Sequence, residues 1–172
     1  GFIGRRLVRS LLQAGSEVTV LDRRPFPDPG VPTVTGDIRD DAVLARAVQP
    51  GMDVIIHLAA VTSVVESMDD PAGTYQTNVA ATASLLELAR TTGVTTFLLA
   101  STNAVVGNVG GATITERSPM RPLSPYGATK AAGEMLLSCY AGAYGMTTSA
   151  MRFSNVYGPG MQEKLSLIHI SE

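Results

Sequence analysis

Along the 172 residues, apolar positions recur with two alternating signatures: helical spacing and short continuous runs. Leu7, Val8, Leu11 and Leu12 mark one face of a helix that opens at Gly4 and stops at Gly15. Glu17 to Asp22 reads as a strand, and Val54 to Leu58, Phe97 to Ala100 and Met146 to Arg152 as strands of the kind a parallel sheet buries on both faces. Helices fill the gaps. The clearest run from Pro71 to Thr92, where Leu85, Leu86, Leu88 and Ala89 form an apolar face, and from Pro125 to Tyr144. Arg23 to Pro32 is a proline-rich loop, and Gly107 to Pro122 is a long connection of a size that often carries function. Alternating strands and helices without internal repeats predict an α/β fold built on a parallel sheet.

Composition narrows the function classes. An apolar fraction of 45% can fill the core of one domain. A net charge of −2 with no basic stripe argues against nucleic acid as a partner, and no apolar run is long enough to cross a membrane. Cys139 is the single cysteine, which leaves no internal disulfide and no cysteine-based metal site, so a cytoplasmic protein without a metal is expected.

The chemistry concentrates in Ser124-Pro125-Tyr126-Gly127-Ala128-Thr129-Lys130. A tyrosine four residues before a lysine places phenol and ammonium on one helix face. A phenol with its ordinary pKa of about 10 needs a shift of roughly 3 units, or about 4 kcal/mol, to act as a phenolate near neutrality. A nearby cation can provide it. The other signal is Gly1-Phe2-Ile3-Gly4 running straight into a helix. Unpaired N–H groups and the helix dipole suit a phosphate there, and a missing side chain lets it approach closely. Asp22 ends the following strand, where a carboxylate accepts from ribose hydroxyls and repels a 2′-phosphate. NAD is thereby favoured over NADP, with Arg23 and Arg24 beside it pulling the other way.

Together with Gly36-Asp37-Ile38-Arg39-Asp40, His57-Leu58-Ala59-Ala60, Asn78, Ser101-Thr102 and Arg152-Phe153-Ser154-Asn155-Val156-Tyr157-Gly158-Pro159, these motifs resemble the extended short-chain dehydrogenases/reductases, in particular the NAD-dependent sugar-nucleotide epimerases and dehydratases. The likeness runs from Gly1 to about Met161. It implies a Rossmann-like doubly wound parallel sheet, a nucleotide-sugar substrate and a homodimer. It implies also that Gly1, Phe2, Ile3 and Gly4 take the pyrophosphate, Asp22 the ribose, and Asp37 with Ile38 the adenine. Leu58, Ala59, Ala60 and Thr62 would lie beneath the dinucleotide, with Asn78 and Ser154 among its contacts. By the same resemblance Thr102 hydrogen-bonds the reacting hydroxyl, Tyr126 is the base, Lys130 grips the nicotinamide ribose and lowers the phenol's pKa, and Asn155 lies near the substrate diphosphate. His57 is read as a packing residue at a strand end.

Against the family's pattern, the strand that precedes the glycine turn and most of the C-terminal substrate domain are missing. With strand order 3-2-1-4-5-6 the missing first strand is the central one, so the 172-residue polypeptide is expected not to fold stably by itself. Residues 1–164 are expected to form a partial NAD-binding domain. Leu165 to Glu172 read as a non-native tail translated from a sequencing adapter. The leading function is C4 epimerisation of a UDP-hexose. A sugar-nucleotide dehydratase, a decarboxylase, a carbonyl reductase and a non-catalytic NAD(P)-binding protein remain alternatives. Dehydratases of the family usually carry Asp-Glu directly after the Thr, where this chain has Asn103 and Ala104.

Overall fold

The computed structural model describes residues 1–160, so the tail reading for Leu165 to Glu172 and its boundary at Lys164 lie outside the described residues. The chain opens with helix α1 (Phe2–Gln13), followed by strand β1 (Val20–Asp22), strand β2 (Thr33–Thr35), helix α2 (Asp41–Ala47) and strand β3 (Val54–His57). Helix α3 (Val64–Asp69) leads into α4 (Pro71–Tyr75), a π turn (Gln76–Ala80) and α5 (Ala81–Thr92). Strand β4 (Thr96–Thr102), helix α6 (Pro125–Tyr144) and strand β5 (Thr147–Phe153) complete it.

Local chemistry sets most of these limits. Ser124 caps α6 by accepting from the Gly127 N–H, Pro125 occupies its first turn, and Gly145 closes it at φ 70°. Asp70 caps α4 in the same way, and Gly93 ends α5 at φ 84°. The expected single helix from Pro71 to Thr92 is interrupted by the π turn, which carries one extra residue per turn.

All strand pairs are parallel. β1 pairs with β2, and β3-β4-β5 form a second sheet, with Val54 opposite Thr96 and Thr102 opposite Phe153. β1 and β3 are not bonded to each other. The order is therefore that of the doubly wound fold with a slot where its first strand would run. Leu21 on one side and Val54, Ile55 and Ile56 on the other line this slot, which encloses about 640 Å³ counting the part open to solvent. One core still spans both sheets: Ile38, Leu44 and Val48 pack with Leu85, Leu86, Phe97 and Leu99. Burying such side chains contributes about 1.5–3 kcal/mol each.

Candidate active site

Parallel strands bring their carboxyl ends to one edge, and the expected site residues lie there. The N-terminus of α1 stands against β3, because a Cβ on Gly4 would lie 3.7 Å from Leu58 Cδ1. Gly1 offers no capping side chain, and the first helical bond runs from Arg5 N to Gly1 O. The N–H groups of Phe2, Ile3 and Gly4 are thus the unpaired donors of the first turn. Asp22 ends β1 with one carboxylate oxygen 3.7 Å from the Gly1 amine and the other accepting from Arg24 N at 3.0 Å. Free donors, an open approach at Gly1 and an acid at the neighbouring strand end fit a dinucleotide pyrophosphate and ribose.

Asp37 and Ile38 follow β2. Asp37 is gripped by Arg39 through Nη2 at 2.7 Å, Nε at 3.0 Å and the main-chain N–H at 2.9 Å. These bonds hold its carboxyl down at about 2. Ile38 is buried against the core, whereas Ala59 and Thr62 beyond β3 are exposed.

Thr102 is the last residue of β4, and its Oγ1 accepts from Ala104 N at 3.1 Å. Helix α6 comes unusually close to the turn that follows, since a Cβ on Gly127 would sit 2.7 Å from the Ala104 carbonyl oxygen. This approach sets the neighbouring Tyr126 beside Thr102. Burial raises the Tyr126 phenol above its ordinary value, and a hydrogen bond with Thr102 pulls the other way. The expected lowering by Lys130 is not produced by the protein's own groups. Lys130 Nζ donates instead to the Ala100 carbonyl at 2.9 Å, and burial takes the lysine down to about 8.

Asn78, Ser154 and Asn155 are placed differently from the rest. Asn78 is only 3% exposed, with Oδ1 accepting from Val61 N and Nδ2 donating to Val61 O and to Thr129 Oγ1. Both amide hydrogens are committed within the protein, so its side chain holds the cleft floor rather than donating into the cleft. Ser154 and Asn155 follow β5 on exposed chain at the carboxyl edge. His57 is buried, with Nε2 3.0 Å from Thr82 Oγ1. Desolvation, and then the Lys130 charge, pushes it down to about 3, so it is a neutral packing residue. Sequence reasoning missed Ser67, which is fully buried and accepts from Tyr126 N at 3.1 Å. A lone serine in a short helix carries no signal by itself.

Residues 1–170 match the model of the NAD dependent epimerase/dehydratase family, and the chain belongs to that family. It is 37% identical to a dTDP-glucose 4,6-dehydratase of Streptomyces antibioticus, over 92% of this chain and 52% of that enzyme. It is also 37% identical to a UDP-glucose 4-epimerase of Lacticaseibacillus casei, over 92% of this chain and 50% of the other. Among solved structures it is similar to the Thermus thermophilus UDP-glucose 4-epimerase in complex with NAD, with a TM-score of 0.88, 39% identity and coverage of 94% of this chain and 55% of that one. The Streptomyces venezuelae dTDP-glucose 4,6-dehydratase DesIV, as a double mutant with NAD and DAU bound, superposes with a TM-score of 0.84 at 37% identity, over 92% of this chain and 54% of that one. The chain thus spans about half the length of these relatives. The expected Rossmann-type fold and the family's dependence on NAD both stand. Among the described residues no helix is long and apolar enough to cross a membrane.

Proposed function

We propose that the whole protein is a nucleotide-sugar epimerase that uses NAD, inverting C4 of a UDP-hexose. The observation that supports it is the close approach of the first turn of α6, at Gly127, to the Ala104 carbonyl just beyond Thr102. This brings the Tyr126 turn to the carboxyl end of β4, with Asn103 and Ala104 in the turn that follows. NAD bound at the first turn of α1 would supply reversible hydride chemistry at the sugar. Tyr126 takes the hydroxyl proton and later gives it back, while Thr102 steadies the same oxygen. Lys130, one helical turn on, holds the nicotinamide ribose. Burial leaves the phenol above its ordinary value, and the positive charge of an oxidised nicotinamide held beside it would act to lower it. The first turn of α1 takes the pyrophosphate, and Asp22 selects a free ribose 2′-hydroxyl.

Elimination to a 4-keto-6-deoxy sugar needs a further acid–base pair. Asn103 cannot supply a carboxylate and Ala104 can supply nothing, which counts against a dehydratase. The whole protein should interconvert UDP-glucose and UDP-galactose with NAD present and no NADH released. Tyr126→Phe should lower turnover at least about 100-fold with NAD still bound. Formation of a 4-keto-6-deoxy product from dTDP-glucose would overturn the epimerase reading, and near-normal turnover in Tyr126→Phe would remove the base. We propose also that α5 and α6 pair with their copies in a two-fold dimer, as exposed Met135 and Tyr144 on α6 suggest. A monomer mass in solution would reject that arrangement.

A further inference from the structure

Tyr126 is held through both of its main-chain polar groups, the N–H by a residue of another helix and the carbonyl by Thr129 of its own helix, which is itself tied to the π turn. Its N–H is one of the donors that the first turn of α6 leaves unpaired. Ser124, the cap, serves Gly127 instead, at 3.1 Å. The Tyr126 N–H goes to Ser67 Oγ on α3, also at 3.1 Å. Ser67 is 0% exposed and gives its own hydroxyl hydrogen to Val64 O at 2.7 Å, which leaves a lone pair to face Tyr126. The Tyr126 carbonyl accepts from Thr129 Oγ1 at 2.8 Å. With its hydrogen committed there, Thr129 can only accept from Asn78, and Asn78 Nδ2 does donate to it at 3.1 Å. Asn78 in turn grips both main-chain groups of Val61, each at 2.9 Å.

We propose that Ser67 and the Asn78–Thr129 pair are positioning residues that clamp the main chain of Tyr126 between α3 and the π turn, keeping the phenol aligned with Thr102 and with the cleft floor near Val61. The proposal rests on the reading of Tyr126 as the base. Both arms bond only to protein groups. Each acts through the backbone, and an error of about 1 Å in a reacting group costs on the order of 100-fold in rate. The hydroxyls are there for direction rather than bulk: Ser67 and Thr129 are both buried, and each has donor and acceptor partners that fix its hydrogen.

The test uses the whole protein carrying Ser67→Ala, Thr129→Val and Thr129→Ser. Ser67→Ala and Thr129→Val should each lower kcat by about 10- to 100-fold while KM stays unchanged, and Thr129→Ser should restore kcat. The phenol's ionisation, followed as the tyrosinate absorbance lost in Tyr126→Phe, should move in the first two variants, because loosening Tyr126 changes both its burial and its contact with Thr102. This readout needs no substrate. If Tyr126→Phe is inactive while Thr129→Val keeps a normal kcat and an unmoved tyrosinate titration, the clamp is wrong and the base assignment survives. A fall in melting temperature without a change in kcat, or a loss that Thr129→Ser does not restore, also overturns it. Should Ser67→Ala fail to fold, the two Thr129 variants decide.

Discussion

Lys130 gives a hydrogen bond from Nζ to the carbonyl oxygen of Ala100 at 2.9 Å, two residues before Thr102. The bond ties the ammonium to β4 in a place where burial takes the lysine from 10.5 to about 8. Below about pH 8 the charge is present in folded and unfolded chains alike, and the folded state bears the whole desolvation cost. As pH rises from about 8 to 10.5 the folded state releases its proton first, so stability rises. At about 1.4 kcal/mol per unit the burden is about 3 kcal/mol. Losing the bond to Ala100 offsets about 1 of this. Lys130→Met should therefore stabilise the protein at pH 7 by about 2 kcal/mol while turnover falls. Urea unfolding at pH 7 and pH 10 checks it, and the advantage should shrink at the higher pH.

His57 should make the fold acid-sensitive. Its folded value near 3 lies below the ordinary 6.5, so the unfolded chain takes up a proton first as pH falls. Stability is then lost from about pH 6.5 down to about 3, by up to about 5 kcal/mol. Thr82 gives its hydroxyl hydrogen to the Asn78 carbonyl, which makes the neutral His57 ring the donor to Thr82. His57→Gln keeps a donor without a titrating group. Denaturant unfolding between pH 7 and 4 should show a flatter dependence in that variant, and an unchanged slope would count against the assignment.

Arg152 on β5 and Glu134 on α6 form a pair with the two side chains 17% and 8% exposed, joined at 2.8 Å, and Ser101 donates to the same carboxylate. Removing one partner leaves a buried charge uncompensated, which costs about 3–5 kcal/mol. Glu134→Gln should lower stability by about that much. Replacing both residues by Met should recover most of it, because apolar pairs of similar volume replace buried ion pairs with little loss. A double-mutant cycle measures the coupling, and additive losses would show that the pair does not act as a unit.

Asp22 should make NAD the preferred dinucleotide. Asp22→Ser removes the repulsion toward a 2′-phosphate and leaves Arg23 and Arg24 nearby, so the ratio of NADP to NAD affinity should rise by at least about 10-fold, equivalent to about 1.4 kcal/mol. Titration of both dinucleotides checks this. A preference for NADP in the unmodified protein would show that the arginines dominate.

The sequence disclosed the frame well where local chemistry is self-contained. Helix α6 runs from Pro125 to Tyr144 as read, because its cap, its proline and its closing glycine are all local. The strand β2, at Thr33–Thr35, is too short for a periodic signal, and α2 and α3, at 7 and 6 residues, give too few turns to show one. The π turn within the expected Pro71 to Thr92 helix left no mark on the apolar pattern, since Leu85, Leu86 and Ala89 keep their face on either reading. Tyr126 and Lys130 stood out by their spacing, and Thr102 by the resemblance. The supports of Tyr126 did not, because the bond from its N–H to Ser67 crosses 59 positions of sequence and exists only once α3 and α6 pack. Asn78 was singled out through the resemblance, but the bonds of its side chain to Val61 and Thr129 depend on how distant segments pack and could not be read from the sequence.

The slot between β1 and β3 has a consequence for proton exchange with solvent. Val20 N and Asp22 O bond to β2, so alternation along a parallel strand turns the N–H of Leu21 the other way, into the slot. Across it, Asp53 O bonds to Thr96 on β4, and the same alternation turns the N–H groups of Val54 and Ile56 inward. These amides lie mid-strand, yet nothing among the described residues pairs them. In the 172-residue polypeptide they should therefore trade deuterium faster than Phe97 and Leu99 on β4. An extended apolar peptide that seated itself there as a parallel strand would reverse the pattern, slowing Leu21, Val54 and Ile56 together.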